Sequence, residues 1–242
     1  MTEAALQQLQ SFLNEKLANQ ECLLMLEAGC GSATYLKLKP KTHFVGIDIS
    51  EEQLERNQFV DEKILGDIQY YRFPADLFDA IICWNVLEHV PKPDLALQNF
   101  AIALKPGGLL ILSLPNLYSV KGMTTRLTPH WMHVLMYRYG YRIKDAGKDG
   151  RAPFKTYLRR SISPNGILKF AQNNRMDLVY KSFYNISDYL GTHNRILGKV
   201  YKLIDRFARA ISAGWLGDSE FYMVLSKKNE SPISLPGGPL PA

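Results

Sequence analysis

A chain of 242 residues with 46% hydrophobic content can bury one sizeable α/β core, and it is too apolar to remain unfolded. Its longest apolar runs, such as 108–114, are strand-length, so no membrane-spanning helix is expected, and Glu3, Gln7, Gln8 and Gln10 interrupt any leader-like run at the start. The net charge of +6 is unevenly placed: 121–160 holds ten Lys or Arg against Asp145 and Asp149, which leaves the remainder slightly acidic.

In chain order, Leu6, Leu9, Leu13 and Leu17 recur at three- and four-residue steps and predict an amphipathic helix over 3–19. A short apolar run at 22–26 then ends in Glu27-Ala28-Gly29-Cys30-Gly31. The same pattern recurs at 43–47, ending at Asp48, at 64–65, ending at Gly66-Asp67, and at 78–84, ending at Asn85. Ser50 is placed to cap a helix over 51–58. A second helix is expected over 94–104, with Leu95, Leu97, Ala101 and Leu104 facing inward, until Lys105-Pro106-Gly107-Gly108 breaks it and feeds a strand at 109–114. Apolar strands alternating with helices predict βαβ units and a parallel sheet, whose strands are buried on both faces. Cys22, Cys30 and Cys83 fall in these strands or at their ends. They form neither a disulfide framework nor a metal-ligand spacing, which favours a reducing, cytoplasmic setting with no metal site.

Past Pro115 the alternation fails. Residues 117–160 are basic, rich in Tyr, Met and His, and show no clear strand. A helix over 164–174, capped by Ser163, and a strand over 176–184 resume the pattern. The segment 185–216 contains the basic amphipathic stretch 195–211, and 220–226 predicts a last strand. From Lys227 the Ser-, Pro- and Gly-rich tail is expected to be disordered.

Open parallel sheets bind ligands beyond the carboxyl ends of their strands, and several of those ends here are small or acidic. Gly29 and Gly31 let backbone approach a ligand, and the helix start beyond them suits an anionic group such as a carboxylate. Asp48 is placed to accept from ribose hydroxyls, and Asp67 from an adenine amine. Gly29-x-Gly31 followed by Asp48 also fits a dinucleotide site. Three features oppose that: Thr34 stands where the third glycine would be, Glu27 suits an ammonium better than a pyrophosphate, and a pyrophosphate clamp has no use for Asp67. S-adenosylmethionine (SAM) carries an ammonium and a sulfonium, whereas a nicotinamide dinucleotide carries two phosphates.

Leu24-Met25-Leu26-Glu27-Ala28-Gly29-Cys30-Gly31-Ser32 resembles the first motif of the class I SAM-dependent methyltransferases. Val45-Gly46-Ile47-Asp48-Ile49-Ser50 is similar to their second-strand motif. Phe78-Asp79-Ala80-Ile81-Ile82-Cys83 through Val86-Leu87-Glu88-His89-Val90 is similar to the fourth-strand segment, and Leu104-Lys105-Pro106-Gly107-Gly108 to the lead into the fifth. The likeness covers about 20–116, more weakly 160–184 and 219–227, and is nearest to the small-molecule and lipid-quinone branch with a Leu-Glu-His-Val signature. It implies a doubly wound, Rossmann-like sheet of seven mostly parallel strands with an antiparallel last strand, and helical insertions after strands 5 and 6. It also implies that Glu27, Gly29, Gly31, Asp48, Ile49, Asp67 and Ile68 line SAM, with Asn85 beside its methionine part. One departure is that Gly66–Tyr71 runs straight on to Phe73-Pro74, so the third crossover helix is expected to be short or missing. Since the family reads its acceptor outside the sheet, 117–160 and 185–216 become substrate-side insertions in a domain spanning 1–228, with 229–242 as the tail.

His89 has two readings, a general base for a hydroxyl acceptor and a packing residue of the Glu-His-Val segment. His130 and His133, three apart around Trp131, are read as substrate-lining or ordinary packing residues. The sulfonium is already activated, so positioning is expected to matter before any base. The expected activity is methyl transfer to a small or lipid-like acceptor, most readily at oxygen. The basic amphipathic stretch 195–211 reads as a helix over the core or as contact with an anionic membrane. Three alternatives stay open: an NAD(P)-dependent oxidoreductase, an RNA-modifying or nucleic-acid-binding protein using the basic insertion, and a cofactor binder without catalysis. No base-flipping tetrapeptide follows the fourth strand, where Trp84-Asn85-Val86-Leu87 stands instead.

Overall fold

The computed structural model describes residues 3–34, 36, 38, 41–140, 142–148, 152–185, 195–212 and 216–229. Its seven-stranded sheet has the order β3-β2-β1-β4-β5-β7-β6, with β1 Cys22–Ala28, β2 Lys41–Asp48, β3 Glu62–Leu65, β4 Phe78–Trp84, β5 Leu104–Pro115, β6 Met176–Tyr184 and β7 Glu220–Lys227. β1 to β5 pair in parallel, and β7 runs antiparallel between β5 and β6. The expected mostly parallel Rossmann-like sheet with an antiparallel last strand is thus what forms.

Two cores sandwich it, because β-strand side chains alternate faces. From β4, Ala80, Ile82 and Trp84 join Leu23 and Met25 under helix α1 (Glu3–Lys16), whose Leu9 and Leu13 are fully buried there. Ile81 and Cys83 face the other way, against α3 (Pro93–Ala103) and α6 (Pro164–Asn173). Each such leucine contributes about 2 kcal/mol by leaving water.

Several boundaries move. α1 stops at Lys16, and Leu17 packs from the following turn. Helix α2 spans only Glu51–Arg56, capped by the Ser50 hydroxyl, because buried Asn57 turns the chain. α3 buries Ala96, Leu97, Phe100 and Ala101, leaving Leu95 half-exposed. Phe100 claims the core, rotating the stripe by one position. β5 starts at Leu104, and Lys105–Gly108 bulges out between the pairs Phe78–Leu104 and Ala80–Leu109. The third crossover contains no helix. Its turn at 68–70 is held to α3 by Asn99, whose Nδ2 donates to the carbonyls of Ile68 (2.9 Å) and Gln69 (3.1 Å).

The segment after β5 folds into α4 (Val120–Leu127), α5 (His130–Leu135) and a π-helical turn at Met136–Gly140. Between β6 and β7 lies α7 (Arg195–Ile211). Lys227, expected to open the tail, instead closes β7: its Nζ donates to the carbonyls of Ala101 (3.0 Å) and Leu104 (2.7 Å) and to Asp76 Oδ1 (2.8 Å). Residues 230–242 of the expected tail lie outside the described residues. No helix among the described residues is long and apolar enough to cross a membrane.

Candidate active site

The carboxyl ends of β1 to β4 lie side by side, because Ala28 pairs with Ile47 and with Cys83, and Asp48 with Leu65. This brings Glu27, the glycine turn, Asp48, the Asp67 turn and Asn85 to one rim of the sheet.

Gly29 and Gly31 both take left-handed backbone, at φ +72° and +50°. A Cβ on Gly29 would stand 2.5 Å from Val86, so strain and space both demand glycine there. Asp48 holds this turn. Its Oδ2 accepts from the Gly31 N–H (2.8 Å) and its Oδ1 from the Ser50 N–H (2.9 Å). A carboxylate offers about four lone-pair sites, so half its accepting capacity remains for hydroxyls. Asn57 supports the turn from below: its Nδ2 donates to the carbonyls of Gly31 (3.0 Å) and Cys30 (3.3 Å), while its Oδ1 accepts from Phe59 N–H (2.9 Å) and Val60 N–H (3.3 Å).

Glu27 is 3% exposed and accepts a hydrogen bond from the Thr34 hydroxyl. Burial pushes its carboxyl up to about 7, only partly countered by Thr34. Such a carboxyl is held at the point of ionisation, and a cation beside it would tip it into the charged form.

On β3's side, Asp67 accepts from Gln69 N–H (2.9 Å) and from Gln69 Nε2 at both oxygens (3.0 and 2.9 Å). Gln69 Oε1 accepts in turn from Lys92 N–H (2.9 Å). Ile49 is 75% exposed at the rim, whereas the Ile68 side chain is buried in the core. Asn85 takes left-handed backbone (φ +53°), and its Oδ1 accepts from the Ser113 hydroxyl (3.0 Å).

The three candidate histidines differ in what holds them. His89 Nδ1 lies 2.9 Å from the Lys155 carbonyl. A carbonyl only accepts, so the ring proton sits on Nδ1 and Nε2 carries the lone pair. Burial lowers the pKa of His89, and the charges of Lys121 and His130 push the same way against the Lys155 contact. Phe154 meets the ring edge-on at 5.6 Å, so the insertion itself seats this imidazole. His130 has a buried Nδ1 with no hydrogen-bond partner. His133 is tethered through Nε2 to the Thr128 hydroxyl, and burial lowers its pKa.

Below His89 lies a charged group that the sequence reading missed. Lys121 pairs with Glu220, whose side chain is 4% exposed. Glu88 is buried with Oε2 unpartnered, and burial raises its carboxyl to about 8. Glu88 was visible only inside the Leu-Glu-His-Val motif. The Lys121–Glu220 pair spans 99 positions and left no local signal.

The sequence matches a methyltransferase-domain family model over residues 2–144. Among curated relatives, the ubiquinone biosynthesis O-methyltransferase of Coxiella burnetii is 31% identical over 113 residues, covering 40% of this chain and 48% of that protein. The chain spans about half the length of the first curated relatives it matches. A SAM-dependent methyltransferase from Archaeoglobus fulgidus is similar in structure, with TM-score 0.53, 15% identity and coverage of 92% of this chain and 94% of that one. The [4+2]-cyclase SpnF is similar too, with TM-score 0.55, 15% identity and coverage of 92% and 80%.

Proposed function

The chain belongs to the methyltransferase-domain family, and we propose that it is a SAM-dependent methyltransferase acting on a small or lipid-like acceptor, at oxygen. The observation that carries the reading is Glu27: a buried carboxyl with its pKa raised to about 7, immediately before a left-handed glycine turn. That combination fits a cation-bearing nucleoside and would oppose a pyrophosphate. Glu27 would receive the ammonium, the Gly29–Gly31 backbone would lie along the methionine part beside Asn85, and Asp48 would accept from the ribose hydroxyls. Asp67, with the Ile49 side chain and only the backbone of Ile68 beside it, would border the adenine. When bound, SAM supplies a methyl group already activated by the sulfonium.

The chain's own contribution is then to seat the acceptor and receive its proton. His89 presents an unprotonated Nε2, fixed by the Lys155 carbonyl and kept neutral by burial, as a general base needs. His130 and His133 would line the same acceptor side. Residues 1–228 would act as one domain, with 117–160 and 185–216 as its acceptor-reading insertions. The oxygen acceptor is supported by the ubiquinone O-methyltransferase relatives. We place the enzyme in the cytoplasm, in peripheral contact with an anionic membrane where an acceptor of that class resides.

Calorimetric titration with SAM, its demethylated product and NADH tests the reading: SAM and its product bind, NADH does not. Binding of NADH alone would make the protein an oxidoreductase. Methyl transfer with His89→Gln separates base from packing. A base gives a large fall in kcat that eases as pH rises and the acceptor ionises by itself, with KM for SAM unchanged.

A further inference from the structure

Helix α7 is built inside out. Ile196, Val200, Leu203, Ile204, Phe207 and Ile211 stand 48% to 74% exposed. At about 100° per residue they form one stripe along the helix. The opposite side meets the body, and it is polar. Asp205 is buried there and accepts from Asn185 Nδ2 (3.0 Å) and Arg209 Nε (2.9 Å). Arg209 Nη2 continues to Asp218 Oδ1 (2.9 Å), and the Tyr201 hydroxyl rests against the Lys121 backbone. A surface helix ordinarily buries its apolar stripe. Here the ion-paired underside fixes the helix with that stripe turned to water.

The charges around the stripe say what would cover it. Lys199, Lys202 and Arg206 are exposed along one flank, and the helix's single acid, Asp205, is turned inward. Two copies pairing through α7 would set these cations against one another with no acid on the helix to receive them. Anionic headgroups would receive them, while the stripe enters the acyl boundary as interfacial helices do. We infer that α7 docks the protein on an anionic bilayer surface. The inference stands on α7 alone and deepens the proposed function by naming the surface from which a lipid-like acceptor is reached.

The test is co-sedimentation of the full chain with phosphatidylcholine vesicles with and without phosphatidylglycerol, at low and high salt. The parent should bind only the anionic vesicles and release as salt is raised. Leu203→Ser/Phe207→Ser and Lys202→Ser/Arg206→Ser should each weaken that binding at least about tenfold. All of these positions are exposed, so SAM affinity of the variants should equal the parent's, which certifies folding. Failure of the parent to bind anionic vesicles at low salt overturns the inference, as does undiminished binding by the variants. A parent that light scattering shows to be dimeric, with a monomeric Leu203→Ser/Phe207→Ser variant, overturns it in favour of a second copy. A parent that binds vesicles but not SAM defeats the proposed function and leaves this inference standing.

Discussion

SAM affinity should follow the ionisation of Glu27. With its carboxyl at about 7 in the free protein, about 3% is charged at pH 5.5 and about three-quarters at pH 7.5. If only the charged form receives the ammonium, Kd should tighten about 15- to 20-fold across that window, since part of the ligand's own α-amino group is already deprotonated at pH 7.5. Near pH 8 about half of that group has lost its proton, so affinity should level off and then fall. Glu27→Gln removes both charge and titration, so its binding should be weak and flat between pH 5.5 and 7.5. Stability carries the opposite sign. A carboxyl whose pKa rises from 4.5 to about 7 on folding favours the folded state below pH 4.5, and that contribution is lost as pH climbs through 7. The loss is about 3 kcal/mol. Without SAM at pH 8, Glu27→Gln should therefore melt at a higher temperature than the parent. Calorimetric titrations at five pH values, with melts in parallel, check both halves. A parental Kd changing less than about threefold over the window, or a slope surviving in Glu27→Gln, would refute the reasoning.

Three further outcomes are expected. Asp48→Ala should lower SAM affinity at least about tenfold by calorimetry, since it removes the anchor of the Gly31 N–H and the proposed acceptor for ribose; unchanged affinity would sink the assignment of the cleft. Asn57→Ala strips four hydrogen bonds from beneath the glycine turn and should cost about 2–3 kcal/mol in denaturant unfolding. Lys121→Met leaves Glu220 buried and unpaired, which should cost about 2–4 kcal/mol, toward the lower end because the Lys121 side chain is about one-third exposed. Adding Glu220→Gln to Lys121→Met should recover part of that loss.

What the sequence made legible were constraints satisfied locally. A Gly-x-Gly turn, an acid at a strand end and a serine before a helix each announce themselves within a few residues, and β1, β4, α2 and the rim acids fell where those signals lay. Where several placements satisfied one pattern, the three-dimensional neighbour decided. α3 is apolar on most sides, so periodicity could not tell Leu95 from Ala96, and the fit of Phe100 against the sheet settled it. The start of β5 was hidden by Pro106-Gly107-Gly108, which reads as a break but is a bulge within one strand. Asn57 carried no motif because its partners are the carbonyls of a turn 26 and 27 positions away. The tautomer of His89 depends on a carbonyl 66 positions on, in a segment with no regular structure to announce it.

The place of β7 bears on how the molecule is made. The seventh strand in chain order is not at the margin but between β5 and β6, and Lys227 at its end fastens carbonyls more than 120 positions earlier. Until 220–227 emerges, β5 offers a bare row of peptide groups and β6 has no ladder to join. The nascent chain therefore carries an open seam from the time 104–115 emerges until 220–227 follows, when association with other chains is easiest. A stop codon shortly before residue 220 would consequently be expected to yield aggregates rather than a shortened folded protein.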